Sequence, residues 1–295
     1  MSWIERLSTE LIARRVPRRS RARIVLELED HIACDPECEE RLGDPRELAA
    51  GFAEELATSR SRAAALRGFV ALAVTGVALA VSQLAIGGTG GYPGFASGLS
   101  LVLFVPALLG MLVAPQVALV AGSLAALRAV RRRHARSLPA AEVGLIERRT
   151  RVALLAGLGT VAGLGLYVLD FVLVLPGWYL LLVSACTAVA GAAVLSAMGS
   201  LRTGAAIVTR HPGPAGDVYD DLAVPGRWWL RRHPWVVGAA GAAGLALIAT
   251  IAQAQAERSL TEGLQRGSIE GLIALVGYAA LGGAIGLIPR PGDEA

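Results

Sequence analysis

The chain has 295 residues, 54% of them hydrophobic and only 18% charged, with a net charge of +4 and a mean hydropathy of +0.54. That charged fraction lies below the roughly 25% of a typical soluble protein, which excludes a soluble enzyme with a single polar surface. Charge is concentrated at one end: residues 1–67 hold 12 of the 28 arginines and 13 of the 24 acids, and there is no lysine anywhere. The composition predicts an all-α protein, a charged N-terminal three-helix domain over 1–62 followed by a membrane domain over 63–290 and a tail over 291–295.

The N-terminal stretch reads as three amphipathic helices. Ser2-Trp3-Ile4-Glu5 is a capping box, in which Ser2 and Glu5 satisfy each other's backbone N–H groups. Ile4, Leu7, Leu11 and Ile12 then recur at helical spacing, and Pro17 closes that helix. A second helix is predicted from about Ser20 to Cys34, with Ile24, Leu28 and Ile32 on one face. The third opens at Asp44-Pro45-Arg46-Glu47, which supplies an N-cap, a proline at the first helical position and an acid in the first turn. Leu48, Phe52 and Leu56 follow at four-residue steps, and Gly43 supplies a permissive turn before the cap. About a dozen apolar side chains make a thin core for such a unit. It packs weakly by itself, rests on the basic membrane-proximal loops, or completes its core with a partner. The net charge of −1 over residues 1–67 lacks the basic footprint of a nucleic-acid binder, so no direct nucleic-acid contact is expected.

Two stretches within this unit resemble a known family. Arg23 to Ile32 contains a Glu-x-x-x-His-Ile step at Glu27, Leu28 and His31. Glu40 to Ala49 contains a Leu-Gly-Asp-Pro-x-x-Leu-Ala step at Leu42, Gly43, Asp44, Pro45 and Leu48. Over about 60 residues the chain is similar to the HAAS signalling domain family, and also to the prefix domain found ahead of some permease segments. The resemblance implies a bacterial membrane protein acting in signalling, with those eight residues contacting a protein partner, a PadR-like winged-helix transcription regulator.

His31, Cys34 and Cys38 lie at i, i+3 and i+7 and are candidate metal ligands if one helix carries all three. Pro36 interrupts that helix and no fourth Cys or His is nearby, so incidental thiols in a reducing compartment are the leading reading, with a reversible Cys34–Cys38 thiol switch as a further alternative. The sequence therefore predicts neither a metal nor any cofactor.

Charge-free windows locate the membrane segments. Residues 68–127 carry no Asp, Glu or Arg, 152–201 carry only Asp170, and 236–256 and 271–289 add uncharged runs of 21 and 19. A spanning helix needs about 20 apolar residues. Six spans follow, near 68–86, 101–127, 152–175, 178–200, 236–255 and 270–288, with breaks at the Gly-rich 87–94 and at Pro176-Gly177-Trp178. Pro115 lies in the middle of the overlong second span and predicts a kink or tilt there. Twenty-six of the 28 arginines lie on one side of this arrangement. The positive-inside rule then places both termini in the cytoplasm of a multi-pass bacterial inner-membrane protein. The loop over 128–151 carries +6, which the positive-inside rule and anionic lipid headgroups explain, and docking of the acidic helix starts of the N-terminal unit is the alternative. Trp228, Trp229, Arg231, Arg232 and Trp235 form a membrane-interface anchor by composition.

Ionisable residues at bilayer depth mark transporters. The candidate here is Asp170 with Tyr167, read either as an interfacial helix end or as a polar site facing a pathway. The second reading belongs to the alternative function, a transport-related membrane subunit. No nucleophile–base pair, zinc motif or phosphate-binding loop is present, so an enzyme is not expected. Gly159 and Gly163, and Gly282 and Gly286, have the four-residue spacing that lets helix backbones approach closely. They serve packing within one bundle or assembly of a homo-oligomer.

Overall fold

The computed structural model describes residues 2–35, 37–86, 98–170, 172–173, 175–204, parts of 235–251, and 259–285. Among these the regular elements are helices: α1 (Trp3–Ala13), α2 (Arg18–Cys34), α3 (Cys38–Leu42), α4 (Pro45–Ile86), α5 (Gly98–Arg131), α6 (Ala140–Asp170), α7 (Gly177–Gly204) and α8 (Leu260–Ile285). Four of them, α4 to α7, contain segments long and apolar enough to cross a membrane. The fifth and sixth expected spans fall partly outside the described residues, as do the Gly-rich break and the tail.

Local chemistry explains the first elements. Ser2 caps α1, accepting from the Glu5 N–H at 3.2 Å, and the Glu5 carboxylate accepts from the Ser2 N–H at 2.7 Å. α2 starts right after Pro17, two residues before the expected Ser20, and ends at Cys34. A short helix absent from the sequence reading, α3, follows and stops at Gly43, whose φ of 72° suits a residue with no Cβ. Asp44 then caps α4, its carboxylate accepting from the Arg46 N–H at 3.0 Å.

The largest departure from expectation is α4. The third amphipathic helix and the first span are one uninterrupted helix of 42 residues, which passes position 62 without a break. Residues 57–67, Ala-Thr-Ser-Arg-Ser-Arg-Ala-Ala-Ala-Leu-Arg, contain neither glycine nor proline and are rich in strong helix formers, so nothing stops it. α6 likewise starts at Ala140 rather than near 152, and ends at Asp170 rather than 175. Pro139 sets its first turn, its carbonyl accepting from the Glu142 and Val143 N–H groups. Much of the supposed loop over 128–151 is therefore helix. α5 runs through both Pro106 and Pro115.

The bundle is held by close backbone approach. Gly110 of α5 meets Gly159 and Gly163 of α6 so tightly that a Cβ on Gly110 would lie 2.7 Å from the Gly159 carbonyl oxygen. α7 packs on α4, where the buried Tyr179 hydroxyl donates to the Ser82 carbonyl at 3.1 Å. α8 meets the helical residues near 242–250 through Gly267 and Gly271. These small residues serve packing within the chain; Gly282 is described without its surroundings, and Gly286 lies outside the described residues.

Candidate functional site

The N-terminal helices do not hang free of the bundle. One continuous apolar cluster joins Trp3, Leu7, Leu11, Ile24 and Leu28 of α1 and α2 to Ala49, Ala53, Ala57 and Ala65 of α4. It extends to Ala125 and Ala129 of α5, Leu138 of the turn, and Val143 and Ile146 of α6. Leu7, Leu11 and Ile146 are fully buried. The unit therefore completes its core on the α5–α6 turn, one of the three arrangements open from sequence.

Polar contacts lock the same junction. The Thr58 hydroxyl, buried within α4, accepts from the Leu138 N–H at 2.9 Å. Arg62, one turn further along, donates to the carbonyls of Ala135 at 2.8 Å and Arg133 at 3.4 Å, and also to that of Arg132. These carbonyls belong to the turn that follows α5, so the guanidinium ties α4 to that turn. Beneath it Glu142 sits between two arginines, 3.6 Å from Arg128 and 3.2 Å from Arg132. The Arg128 and Glu142 side chains are only 4% and 11% exposed. Such a pair gains Coulomb energy against a large desolvation cost, so its main effect is to penalise any arrangement that separates the charges. Glu147 and Arg149 are buried close by in sequence.

The structure divides the eight residues of the family-like steps into two groups. Leu28 is buried in the core, and Leu42 and Leu48 pack against it. Pro45 is buried at the start of α4, Asp44 caps that helix, and the Gly43 carbonyl accepts from the Trp3 indole at 2.9 Å. Those six build the unit. Of the eight, Glu27 and His31 are the exposed side chains of α2. Glu27 pairs with Arg23 at 3.4 Å across one exposed turn, an interaction of little energetic weight. Leu26, 67% exposed, stands on the outer face of α2, and the sequence reading passed over it. It lies two residues from Ile24 and Leu28, hence on the opposite face of a helix, and that apolar residue off the stripe was the available signal.

His31, Cys34 and Cys38 do not share one helix. α2 ends at Cys34 and Cys38 opens α3, with Arg41 and Asp35 paired across the intervening turn. The one-face chelate therefore does not form. His31 and Cys34 are exposed, and among the described residues no three His, Cys, Asp or Glu side chains converge. Tyr167 is buried in an apolar cluster with Ala107, Met111, Leu164 and Tyr179, and Asp170 is the last residue of α6. Of the interface anchor, Trp235 is exposed and stacks edge-on with Tyr278, ring centroids 6.1 Å apart. Trp228, Trp229, Arg231 and Arg232 lie outside the described residues.

No protein-family model, no curated protein and no solved structure matches the chain.

Proposed function

We propose that this chain is a membrane-embedded regulatory adaptor whose N-terminal helical unit offers the outer face of α2 to a protein partner. The observation that carries this reading is the shared core. Apolar side chains of α1, α2, α4, α5 and α6 form one cluster, so a rearrangement of the spanning helices displaces the surface of α2. α4 strengthens the link, because one unbroken helix runs from that cluster into the apolar bundle. Tertiary elements that move as rigid bodies about packed interfaces are the usual carriers of such coupling.

The partner that the sequence resemblance implies is a PadR-like winged-helix regulator, gripped around Glu27 and His31 with Leu26 as the apolar contact. A single exposed leucine flanked by charges has the make-up of a small interface centre with a polar rim. The arginine distribution favours six spans with both termini in the cytoplasm of a bacterial inner membrane, which would put α2 in the compartment of a DNA-binding regulator.

The test uses the full chain in lipid nanodiscs, co-purified with a PadR-like regulator from the same cell. Leu26→Glu and His31→Ala should each lower recovery of the regulator while leaving thermal unfolding unchanged. Unaltered recovery in both variants would remove the reading.

A further inference from the structure

Where α2 begins, the N-terminal unit and the spanning helices enclose a cleft of about 590 Å³. Its walls are the first turn of α2, with Arg18, Arg19 and Ser20, one face of α4, with Arg60 and Arg67, and Ser200 near the end of α7. Four arginines line it and, among the described residues, no Asp or Glu does. Positive charge concentrated this way attracts anions.

Three further features describe that anion. First, the α2 N-terminus points at the cleft. Its N-cap is Pro17, which makes no side-chain capping bond, and the first intrahelical bond runs from the Arg21 N–H to the Pro17 carbonyl at 2.9 Å. The earlier amides and the positive end of a 17-residue helix are thus available to oxygen acceptors. Second, Arg60 is already oriented, its guanidinium donating to the Ser20 hydroxyl at 3.2 Å and tying α4 to the start of α2. Planar guanidiniums beside helix amides suit the tetrahedral oxygens of a phosphate. Third, the cleft sits where charge ends. Arg67 is the last charged residue before the uncharged run of 68–127, and Ser200 lies next to the end of the apolar run of α7.

Directly along α4 the lining changes character. A groove of about 540 Å³ runs between α4 and α7, lined by Val70, Val74, Val77 and Val81 on one side and by Cys186 and Val189 on the other. Arg60, Ala63, Arg67, Val70, Val74, Val77 and Val81 are spaced three or four apart, which places them on one stripe of the helix. A basic cleft at one end of the stripe and an aliphatic groove along the rest match the two halves of a phospholipid.

We propose that the α4–α7 seam binds one anionic phospholipid. Its phosphate sits in the arginine cleft against the first turn of α2, and an acyl chain lies in the valine groove. A soluble phosphate compound would fill the cleft but leave the groove without a role, which favours the lipid. The bound lipid bridges α2 and α4, so it steadies the N-terminal unit on the bundle. The site stands apart from the α2 outer face, and its test is independent of any regulator.

The full chain is purified in mild detergent, delipidated and titrated with phosphatidylglycerol, phosphatidylcholine or glycerol phosphate, with bound molecules counted by native mass spectrometry. Wild type should retain one phosphatidylglycerol in preference to phosphatidylcholine, and excess glycerol phosphate should not displace it. The pair Arg60→Gln and Arg67→Gln should weaken retention by about tenfold or more, since each arginine near a lipid surface contributes on the order of 1 kcal/mol. Arg18→Gln with Arg19→Gln, both exposed at the start of α2, should weaken it too, and this second pair leaves the Arg60–Ser20 bond in place. Arg23→Gln, paired with Glu27 elsewhere on α2, should have no effect. Equal retention of both lipids, unchanged retention in both double variants, or displacement by glycerol phosphate would overturn the proposal.

Discussion

Gly110 and Gly163 face each other across the α5–α6 crossing with no room for a side chain on either. A Cβ on Gly163 would lie 2.8 Å from Gly110 Cα and 2.9 Å from the Ala107 carbonyl oxygen. In a bilayer, where lipid tails are as apolar as the helices, such backbone contact is a main source of association. Gly163→Leu should therefore force the pair apart and lower stability by about 1–3 kcal/mol, the usual cost of overpacking. Gly165, two residues on, has open space around its Cβ position, so Gly165→Ala is the control and should be close to neutral. Thermal unfolding of both variants in one detergent decides the matter, and equal losses would contradict the geometry.

Thr58 is the hydroxyl that satisfies the buried Leu138 N–H. Thr58→Val keeps the shape of the side chain and leaves that N–H without its acceptor, at a cost of about 1–3 kcal/mol. Hydrogen exchange should accelerate at residues 136–140 well before it does in α7.

Glu142 holds Arg128 and Arg132 at the end of α5. Glu142→Ala leaves two guanidiniums beside each other without the carboxylate between them. Breaking a buried pair by removing one partner costs on the order of 3–5 kcal/mol. The double change Arg128→Met with Glu142→Leu should recover most of that loss, as well-packed apolar replacements of buried pairs do. Denaturation midpoints of the single and double variants measure the difference.

Residues 1–62 expressed alone lack Ala125, Ala129, Leu138, Val143 and Ile146, the floor of their core. Small units short of apolar area do not fold independently. The fragment should show little cooperative melting by circular dichroism, whereas the intact chain keeps α1 and α2 folded. A sharp, two-state melt of the fragment would show that the floor is dispensable.

Leu28→Ala, a truncation inside the core, should cost about 2–5 kcal/mol. The neighbouring Leu26→Ala should cost little, because Leu26 already faces outward. Parallel thermal melts of the two variants separate the inner face of α2 from the outer one.

Much of the N-terminal unit could be read from residues. The Ser2–Glu5 capping box, the Asp44-Pro45 helix start and the Ile24, Leu28 and Ile32 stripe are local signals, and each sits where spacing put it. The long apolar helices followed from charge-free windows in the same way. What escaped was the junction. Residues 140–151 read as a charged loop because Glu142, Glu147, Arg148, Arg149 and Arg151 dominate their composition. Their burial depends on which helix ends meet, a long-range fact that no window of sequence contains. The family-like step at Leu42 to Leu48 has a role that spacing alone did not give: its residues cap, turn or pack the unit itself.

The unbroken course of α4 has a consequence for spacing. A helix advances about 100° per residue, so adding one residue near Ala64 would swing the N-terminal unit around the axis of the span. Thr58 and Arg62 would then face away from the turn that they clasp. Seven added residues would bring the unit back to about the original bearing but lift it by roughly 10 Å. The segment between Arg62 and Arg67 is thus a phase-setting shaft, in which the number of residues matters as much as their identity.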